Sequence, residues 1–330
     1  MLGLLSSCQF GFRLISTLSA CAPGGSGKVV AAPQAADRSC GLLGAPDGNS
    51  QFDRLIEFMT SAWPLHMAIF PPDCRLANEL AHRGFNVVLH GRNDVKLEEV
   101  RHKLALRHPE REFRIMVGDA GVLGSGSESW DLMLAPLENL NLRVLINNVG
   151  GCGQMPMMRR LDESSMEDIA ANVHMNALFP TILNAIMIPR FSSSAEPALI
   201  INVGSLADGG WPLLSFYSGS KSYVNSISAS MARELRMDGI DVEVIGVRIG
   251  AVATKTDLMS PRLFWPSVET IANAILDRVG CGRSVLVPYW PHLVQILLVD
   301  MVPLALRNPL YSMVFNRMRY EEKRIFSKDQ

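Results

Sequence analysis

The stretch Ala198-Leu-Ile-Ile-Asn-Val-Gly-Ser205, followed shortly by Ser215-Phe-Tyr217-Ser-Gly-Ser-Lys221, decides the fold. Its apolar start predicts a buried parallel strand, because a strand covered by helices on both faces is continuously hydrophobic. Ser205 then lies just past the carboxyl end of the strand, at the edge where open α/β sheets bind ligands. Tyr217 and Lys221 are four residues apart, so a helix places them on one face.

The Tyr217 and Lys221 pair also has a chemical consequence. A lysine ammonium beside a phenol favours the phenolate, so we expect the pKa of Tyr217 to lie below its usual value of about 10. Such a tyrosine exchanges a proton with a carbonyl or an alcohol near neutral pH. The spacing alone also fits an ordinary surface helix, so the surrounding sequence decides between the two interpretations.

The surrounding sequence alternates helix and strand. Short apolar strands are predicted at 85–90, 113–117, 143–147 and 242–249, and helices at 75–83, 94–107, 165–189 and 217–236. This alternation between residues 74 and 287 predicts an α/β fold: a doubly wound, mostly parallel Rossmann-type sheet with helices on both faces.

The ordered motifs resemble the short-chain dehydrogenase/reductase family over about residues 74 to 290. The run 147–150, Asn-Asn-Val-Gly, is similar to the family's Asn-Asn-Ala-Gly motif, and 249–254 is similar to its Pro-Gly-x-Val-x-Thr segment, with Ile249 where the family usually has proline. Within the family, the strings at 83–92, 212–217 and 287–292 are similar to the branch of 17-beta-hydroxysteroid dehydrogenases and very-long-chain 3-oxoacyl-CoA reductases.

The resemblance implies an oxidoreductase that reduces a ketone of a lipid-like substrate, a 3-oxoacyl chain or a steroid. The family's catalytic tetrad matches Asn176, Ser205, Tyr217 and Lys221 in order and spacing. In that role Tyr217 is the general acid, Lys221 tunes it and bonds the nicotinamide ribose, Ser205 bonds the substrate oxygen, and Asn176 holds a water that relays protons. Taken singly, Ser205 also fits a loop serine and Asn176 a buried amide.

The resemblance further implies a nicotinamide cofactor. Arg92 follows the second strand of the family fold, where an arginine in place of an acidic residue favours the 2′-phosphate of NADP over NAD. A solvated arginine at a strand end is the alternative. The residues that the resemblance assigns to cofactor binding are Arg92, Asp119, Asn147, Asn148, Gly150, Tyr217, Lys221, Val252 and Thr254.

One stretch departs from the family. The first strand should lead into a glycine-rich loop that cradles the pyrophosphate at a helix N-terminus, yet Ser61–Cys74 contains no glycine, and Pro71 and Pro72 lack N–H donors. Two interpretations stay open: a mispredicted exon, or a degenerate member that binds cofactor weakly. The second makes the chain an impaired reductase-like protein with a binding or scaffolding role.

Composition sets further limits. The 330 residues carry a net charge of −1, which gives no electrostatic reason to expect a nucleic-acid partner. The six cysteines lack metal-like spacing, so we expect reduced thiols, no metal and an intracellular protein.

Residues 1–60 predict a leader that is either disordered or a weak mitochondrial transit peptide, residues 61–287 a reductase domain, and residues 288–330 a helical tail.

The tail bears on partners and on location. The apolar run 293–306 is too short and interrupted to span a bilayer. It fits a helix lying on a membrane, a helix covering the substrate pocket, or an ordinary packing helix. We therefore expect the cytoplasm or the endoplasmic reticulum surface, with a peripheral membrane contact through the tail. The resemblance also suggests a homodimer paired through the long helix that holds Tyr217 and Lys221.

Overall fold

The computed structural model describes residues 75–122, 127–152, 156–193, 196–253 and 261–326. Helices and strands alternate over most of this length, and the strand pairs are parallel. The strands are β1 (Val87–Gly91), β2 (Phe113–Val117), β3 (Val144–Asn147), β4 (Ala198–Ser205), β5 (Val242–Ile249) and β6 (Val285–Leu286). The helices are α1 (Arg75–His82), α2 (Asp94–Arg107), α3 (Ser127–Leu134), α4 (Met166–Val173), α5 (Phe179–Ser192), α6 (Ser215–Met237), α7 (Val268–Leu276), α8 (Trp290–Met301) and α9 (Leu304–Phe326).

The predicted doubly wound α/β class is confirmed, with helices on both faces of the sheet. Strand β4 is buried along its whole length, which explains its continuous hydrophobicity. On one face its Ile200 packs in a core with residues of α3, α5 and α6, including Phe179, Phe191 and Leu235. On the other face Ile201 packs with residues of α1 and α7.

The described strands form two sheets rather than one. Strands β1 and β2 pair with each other, and β3, β4, β5 and β6 follow in that order in the second sheet. A cavity of about 650 Å³ lies between β1 and β3, and residues of both strands and of α1 line it. The glycine-free stretch Ser61–Cys74, which precedes α1, lies outside the described residues, as does the predicted leader 1–60.

The predicted helix 165–189 is present, but its middle is irregular. Ser165 caps α4 by accepting a hydrogen bond from the Asp168 N–H at 3.0 Å. The chain then passes through a π-helical turn, His174–Leu178, before α5 begins. Such turns insert an extra residue into a helix and often occur at functional sites.

The tail consists of two helices that end and begin around Pro303. Helix α9 packs against α6 and the loop around residue 158, and it buries Leu310, Val314 and Phe315 there. The run 293–306, for which three roles stay open, lies mostly in α8 rather than in α9. None of the helices in the described part of the chain combines the length and apolarity needed to cross a bilayer.

Candidate active site

Three of the four predicted catalytic side chains meet at the carboxyl end of β4. Ser205 is the last residue of β4, and helix α6 presents Tyr217 and Lys221 toward it. The side chains of Tyr217 and Ser205 share a hydrogen bond. The Lys221 Nζ donates to the Val203 carbonyl at 2.9 Å and lies 5.9 Å from the centroid of the Tyr217 ring. A proton donor, a second hydroxyl and an amine thus converge on one point.

The pKa of Tyr217 differs from the expectation. Tyr217 is only 5 % exposed, and burial raises its pKa above the usual value, although the hydrogen bond from Ser205 works in the opposite direction. The expected lowering by Lys221 is therefore not found in this closed arrangement. Removing a phenolate from water costs more free energy than its attraction to a lysine at this distance returns. Burial disfavours the charged form of Lys221 as well, and so lowers its pKa to about 8.

Asn176, the fourth predicted catalytic residue, lies in the π-helical turn. Its amide oxygen accepts from the Gly151 N–H at 3.0 Å, and its amide nitrogen donates to the Gly151 carbonyl at 2.8 Å. A Cβ atom at Gly150 would lie 2.6 Å from the Asn176 oxygen and 2.9 Å from Lys221 Nζ. Asn176, Gly150 and Lys221 therefore crowd around one spot, and only glycine leaves it open.

The cofactor residues predicted at the first sheet also come together. Arg92 follows β1 and Asp119 follows β2, and the Arg92 guanidinium lies 3.9 Å from the Asp119 carboxylate. Arg92 is 79 % exposed on its side chain, so most of its donors face solvent. It also borders the cavity between the sheets, as do Asn148 and Gly150.

The comparison with known families agrees with this geometry. The family model described as short chain dehydrogenase matches residues 74–262, more than half of the chain. The chain belongs to the short-chain dehydrogenase family. It is thus an oxidoreductase of a family whose chemistry depends on a nicotinamide cofactor.

Individual short-chain dehydrogenases are similar over most of their length. A very-long-chain 3-oxoacyl-CoA reductase of Caenorhabditis elegans is 31 % identical over 236 residues, which cover 71 % of this chain and 73 % of the relative. A very-long-chain 3-oxoacyl-CoA reductase of Kluyveromyces lactis is 28 % identical over 258 residues, covering 74 % of this chain and 70 % of the relative. These matches confirm the predicted branch of the family.

The similarity extends to solved structures. A short-chain dehydrogenase from Sphingobium yanoikuyae, solved in complex with NADPH, has a TM-score of 0.54 and 22 % identity, and the match covers 70 % of this chain and 92 % of that one. At this level of identity the match shows the fold alone.

The short-chain dehydrogenase site has groups suited to the cofactor at its adenosine end. The amide oxygen of Asn148 is buried and has no hydrogen-bond partner within the described part of the protein. A ribose hydroxyl is a group that could donate to such an oxygen, and Asn148 lines the cavity that Arg92 also borders. The uncommitted donors of Arg92 suit a phosphate. These residues fit a nicotinamide dinucleotide.

Two other residues with predicted cofactor roles are buried. The Asn147 side chain donates to Asn184 and Asn202, both at 2.7 Å, within the buried interior. Val252 is fully buried in the core, so neither its side chain nor its backbone is open to a cofactor in this arrangement. Thr254 lies outside the described residues.

Four further residues surround the site and were missed by the sequence interpretation. Asp208 forms an ion pair with Arg248 just after Ser205, and the Cys152 thiol is buried near Lys221. His292 and Glu322 reach in from the tail. No short motif could have revealed them, because their contacts join segments far apart in the sequence.

Proposed function

We propose that the protein is an NADPH-dependent short-chain reductase that acts on a ketone of a lipid-like substrate, of the 3-oxoacyl or steroid type. The observation that carries the proposal is the convergence of Ser205, Tyr217 and Lys221 beneath an apolar wall. That wall includes Leu214, Leu310, Val314 and Phe315. An apolar wall beside a proton donor suits a long hydrocarbon that bears a carbonyl group. The relatives' names, 3-oxoacyl-CoA reductases, support the same substrate class.

The chain's own residues divide the work of the reduction. A nicotinamide held by these residues would contribute the hydride. Tyr217 gives the phenolic proton to the ketone oxygen, and Ser205 stabilises the negative charge that develops there by donating a hydrogen bond. Lys221 lies beside Tyr217 and can return a proton to it, and a water held at Asn176 would pass a proton to Lys221. The closed site excludes water, which strengthens each of these interactions.

Arg92 supports NADPH over NADH. Its guanidinium lies beside the cavity and is mostly exposed, so it can reach a 2′-phosphate without losing a buried partner. We expect Arg92→Ala to weaken NADPH binding about tenfold or more, the usual loss for a charge-assisted hydrogen bond, and to leave NADH binding nearly unchanged.

Titration of nicotinamide fluorescence with the purified protein tests the proposal. Saturable NADPH binding in the micromolar range, together with ketone reduction that Tyr217→Phe abolishes, is the expected result. Tyr217→Phe should still bind NADPH, because only the proton donor is removed. Reduction that persists in Tyr217→Phe would refute the catalytic assignment.

A second candidate is a catalytically impaired reductase-like protein with a binding or scaffolding role. The observation that favours it is the glycine-free stretch Ser61–Cys74, which stands where the family has its phosphate-binding loop. The same titration distinguishes the two functions: no binding up to millimolar NADPH would favour this candidate.

We also propose a peripheral membrane contact at the corner between α8 and α9. Large apolar side chains are exposed there, and we call Leu297, Leu298, Met301, Leu304 and Leu306 the apolar corner. The two charged side chains within it, Asp300 and Arg307, pair with each other at 3.7 Å. An exposed cluster of apolar side chains whose charged neighbours are paired suits insertion into a lipid interface.

Sedimentation with phosphatidylcholine and phosphatidylserine vesicles tests this contact. Met301→Asp combined with Leu304→Asp should reduce the bound fraction, whereas Met166→Asp, equally exposed but on α4, should not. Light scattering on the same samples tests the predicted homodimer. Loss of dimerisation in the corner variant, with vesicle binding unchanged, would assign the corner to a second copy instead.

A further inference from the structure

Helix α9 forms a wall over the catalytic tyrosine. One stripe of the helix, Leu310, Val314 and Met318, recurs every four residues and so lies on a single face. This stripe packs in one apolar cluster with Tyr217. The Tyr217 ring thus shares its apolar surroundings with a segment almost a hundred residues away in the sequence.

The next position on the stripe is a carboxylate. Glu322 follows Met318 by four residues and is only 1 % exposed. Burying a carboxylate costs several kcal/mol unless hydrogen bonds compensate for the lost water. An apolar side chain at this position would avoid that cost, so the carboxylate has a more specific role than filling space.

Two backbone donors compensate Glu322. One carboxylate oxygen accepts from the Met157 N–H at 2.5 Å, and the other accepts from the Met158 N–H at 2.8 Å. Charge-assisted hydrogen bonds of this kind are roughly twice as strong as neutral ones. Both carboxylate oxygens therefore hold one short segment of chain against the end of α9.

That segment borders the site. Met158 is buried in the same apolar cluster as Tyr217 and Cys152. The next residue, Arg159, donates its N–H to the Leu213 carbonyl at 3.2 Å, just before α6. The loop is therefore held on one side by Glu322 and on the other by the turn that leads into the catalytic helix.

We propose that Glu322 is a positioning residue that latches α9 to the loop at Met157 and Met158, and so sets the wall of the substrate pocket above Tyr217. The proposal deepens the proposed function, on which its substrate part rests. With the latch formed, the wall is complete and Cys152 is shielded. With the latch broken, α9 loses its polar attachment near the site and the pocket opens.

Amide hydrogen exchange and thiol labelling test the latch without any turnover. Glu322→Gln keeps the size of the side chain but lacks the charge and can accept at only one atom. We expect exchange at the Met157 and Met158 amides and alkylation of Cys152, followed by mass spectrometry, to speed up about tenfold or more. The exposed Cys281 should label quickly in both proteins.

Glu321→Gln is the matched control. Glu321 is the preceding residue, but it pairs with Arg324 at 3.2 Å near the surface. We expect this variant to match the wild type in both readouts. Exchange of the β4 amides should stay slow in all three proteins, which shows that a change is local. Unchanged exchange at Met157 and Met158 in Glu322→Gln would overturn the proposal.

Chain length of the substrate separates a positioning role from a general structural one. In Glu322→Gln we expect the KM for a long-chain ketone to rise about fivefold or more, with kcat little changed, because uniform binding is lost. A short ketone that does not reach α9 should show no rise. If Glu322→Gln loses amide protection at Met157 and Met158 but no protein, the wild type included, reduces a ketone, the proposed function is refuted and the latch is supported. Equal rises for short and long ketones would refute the positioning role.

Discussion

Lys221 is a titratable group placed where water cannot reach it. It is 5 % exposed, and burial lowers its pKa from 10.5 to about 8. Between about pH 8 and 10.5 the unfolded chain keeps this proton while the folded chain releases it. The contribution of Lys221 to the free energy of unfolding therefore rises with pH across this window, because the unfolded state keeps the lysine proton there. Buried Cys152, whose pKa is raised to about 12, contributes in the opposite direction.

Replacement of Lys221 should remove this contribution. We expect the free energy of unfolding of Lys221→Met to rise less, or to fall more steeply, from pH 8 to 10 than that of the wild type, measured by urea denaturation. Lys103→Met, at an exposed position on α2, should keep the wild-type slope. Parallel profiles for wild type and Lys221→Met would show that the folded protein holds the lysine with an ordinary pKa.

At the scale of elements, α8 is fixed to the end of β5 by one buried histidine. The His292 Nδ1 accepts from the Gly250 N–H at 3.1 Å, and its Nε2 lies 3.1 Å from the Ala251 carbonyl. Burial lowers the pKa of His292 to about 4, so the ring stays neutral and Nδ1 can accept. A Cβ atom at Gly250 would lie only 2.9 Å from the ring.

A double-mutant cycle tests this contact. We expect Gly250→Ala to lower the free energy of unfolding by about 1–3 kcal/mol through overpacking. The same change in a His292→Ala background should cost less, with a coupling of about 1 kcal/mol. Gly219→Ala on α6, where an added Cβ meets no atom within 4 Å, should be neutral or stabilising. Additive costs at Gly250 and His292 would contradict the contact.

At the scale of the whole molecule, the cofactor should join the two sheets. Arg92 belongs to the first sheet and Asn148 to the second, and both border the cavity between them. We expect NADPH at a hundred times its Kd to stabilise the protein by about 2.7 kcal/mol. Hydrogen exchange should then slow in both β1 and β3. Slowing in one sheet alone would show that the cofactor does not bridge them.

Much of the fold followed from local sequence. The strand limits predicted around β2, β4 and β5 agree with the structure to within two residues, because buried parallel strands have unbroken apolar runs. The meeting of Ser205, Tyr217 and Lys221 was also predictable, since the end of one strand and one face of the next helix place them together. In each case the relevant contacts are close in sequence or set by the order of the strands.

The tertiary structure decided what depends on distant segments. Sequence left three roles open for the run 293–306 of the tail, and it gave no sign that helix α9 shares an apolar cluster with Tyr217. The same packing raises the pKa of Tyr217, against the expectation from Lys221 alone. Burial and long-range hydrogen bonds, such as those of Glu322, depend on which segments meet in space. A short sequence pattern does not reveal which distant segments meet. The sequence therefore identified the chemical groups of the Tyr-x-x-x-Lys pair, and only the tertiary structure showed their surroundings.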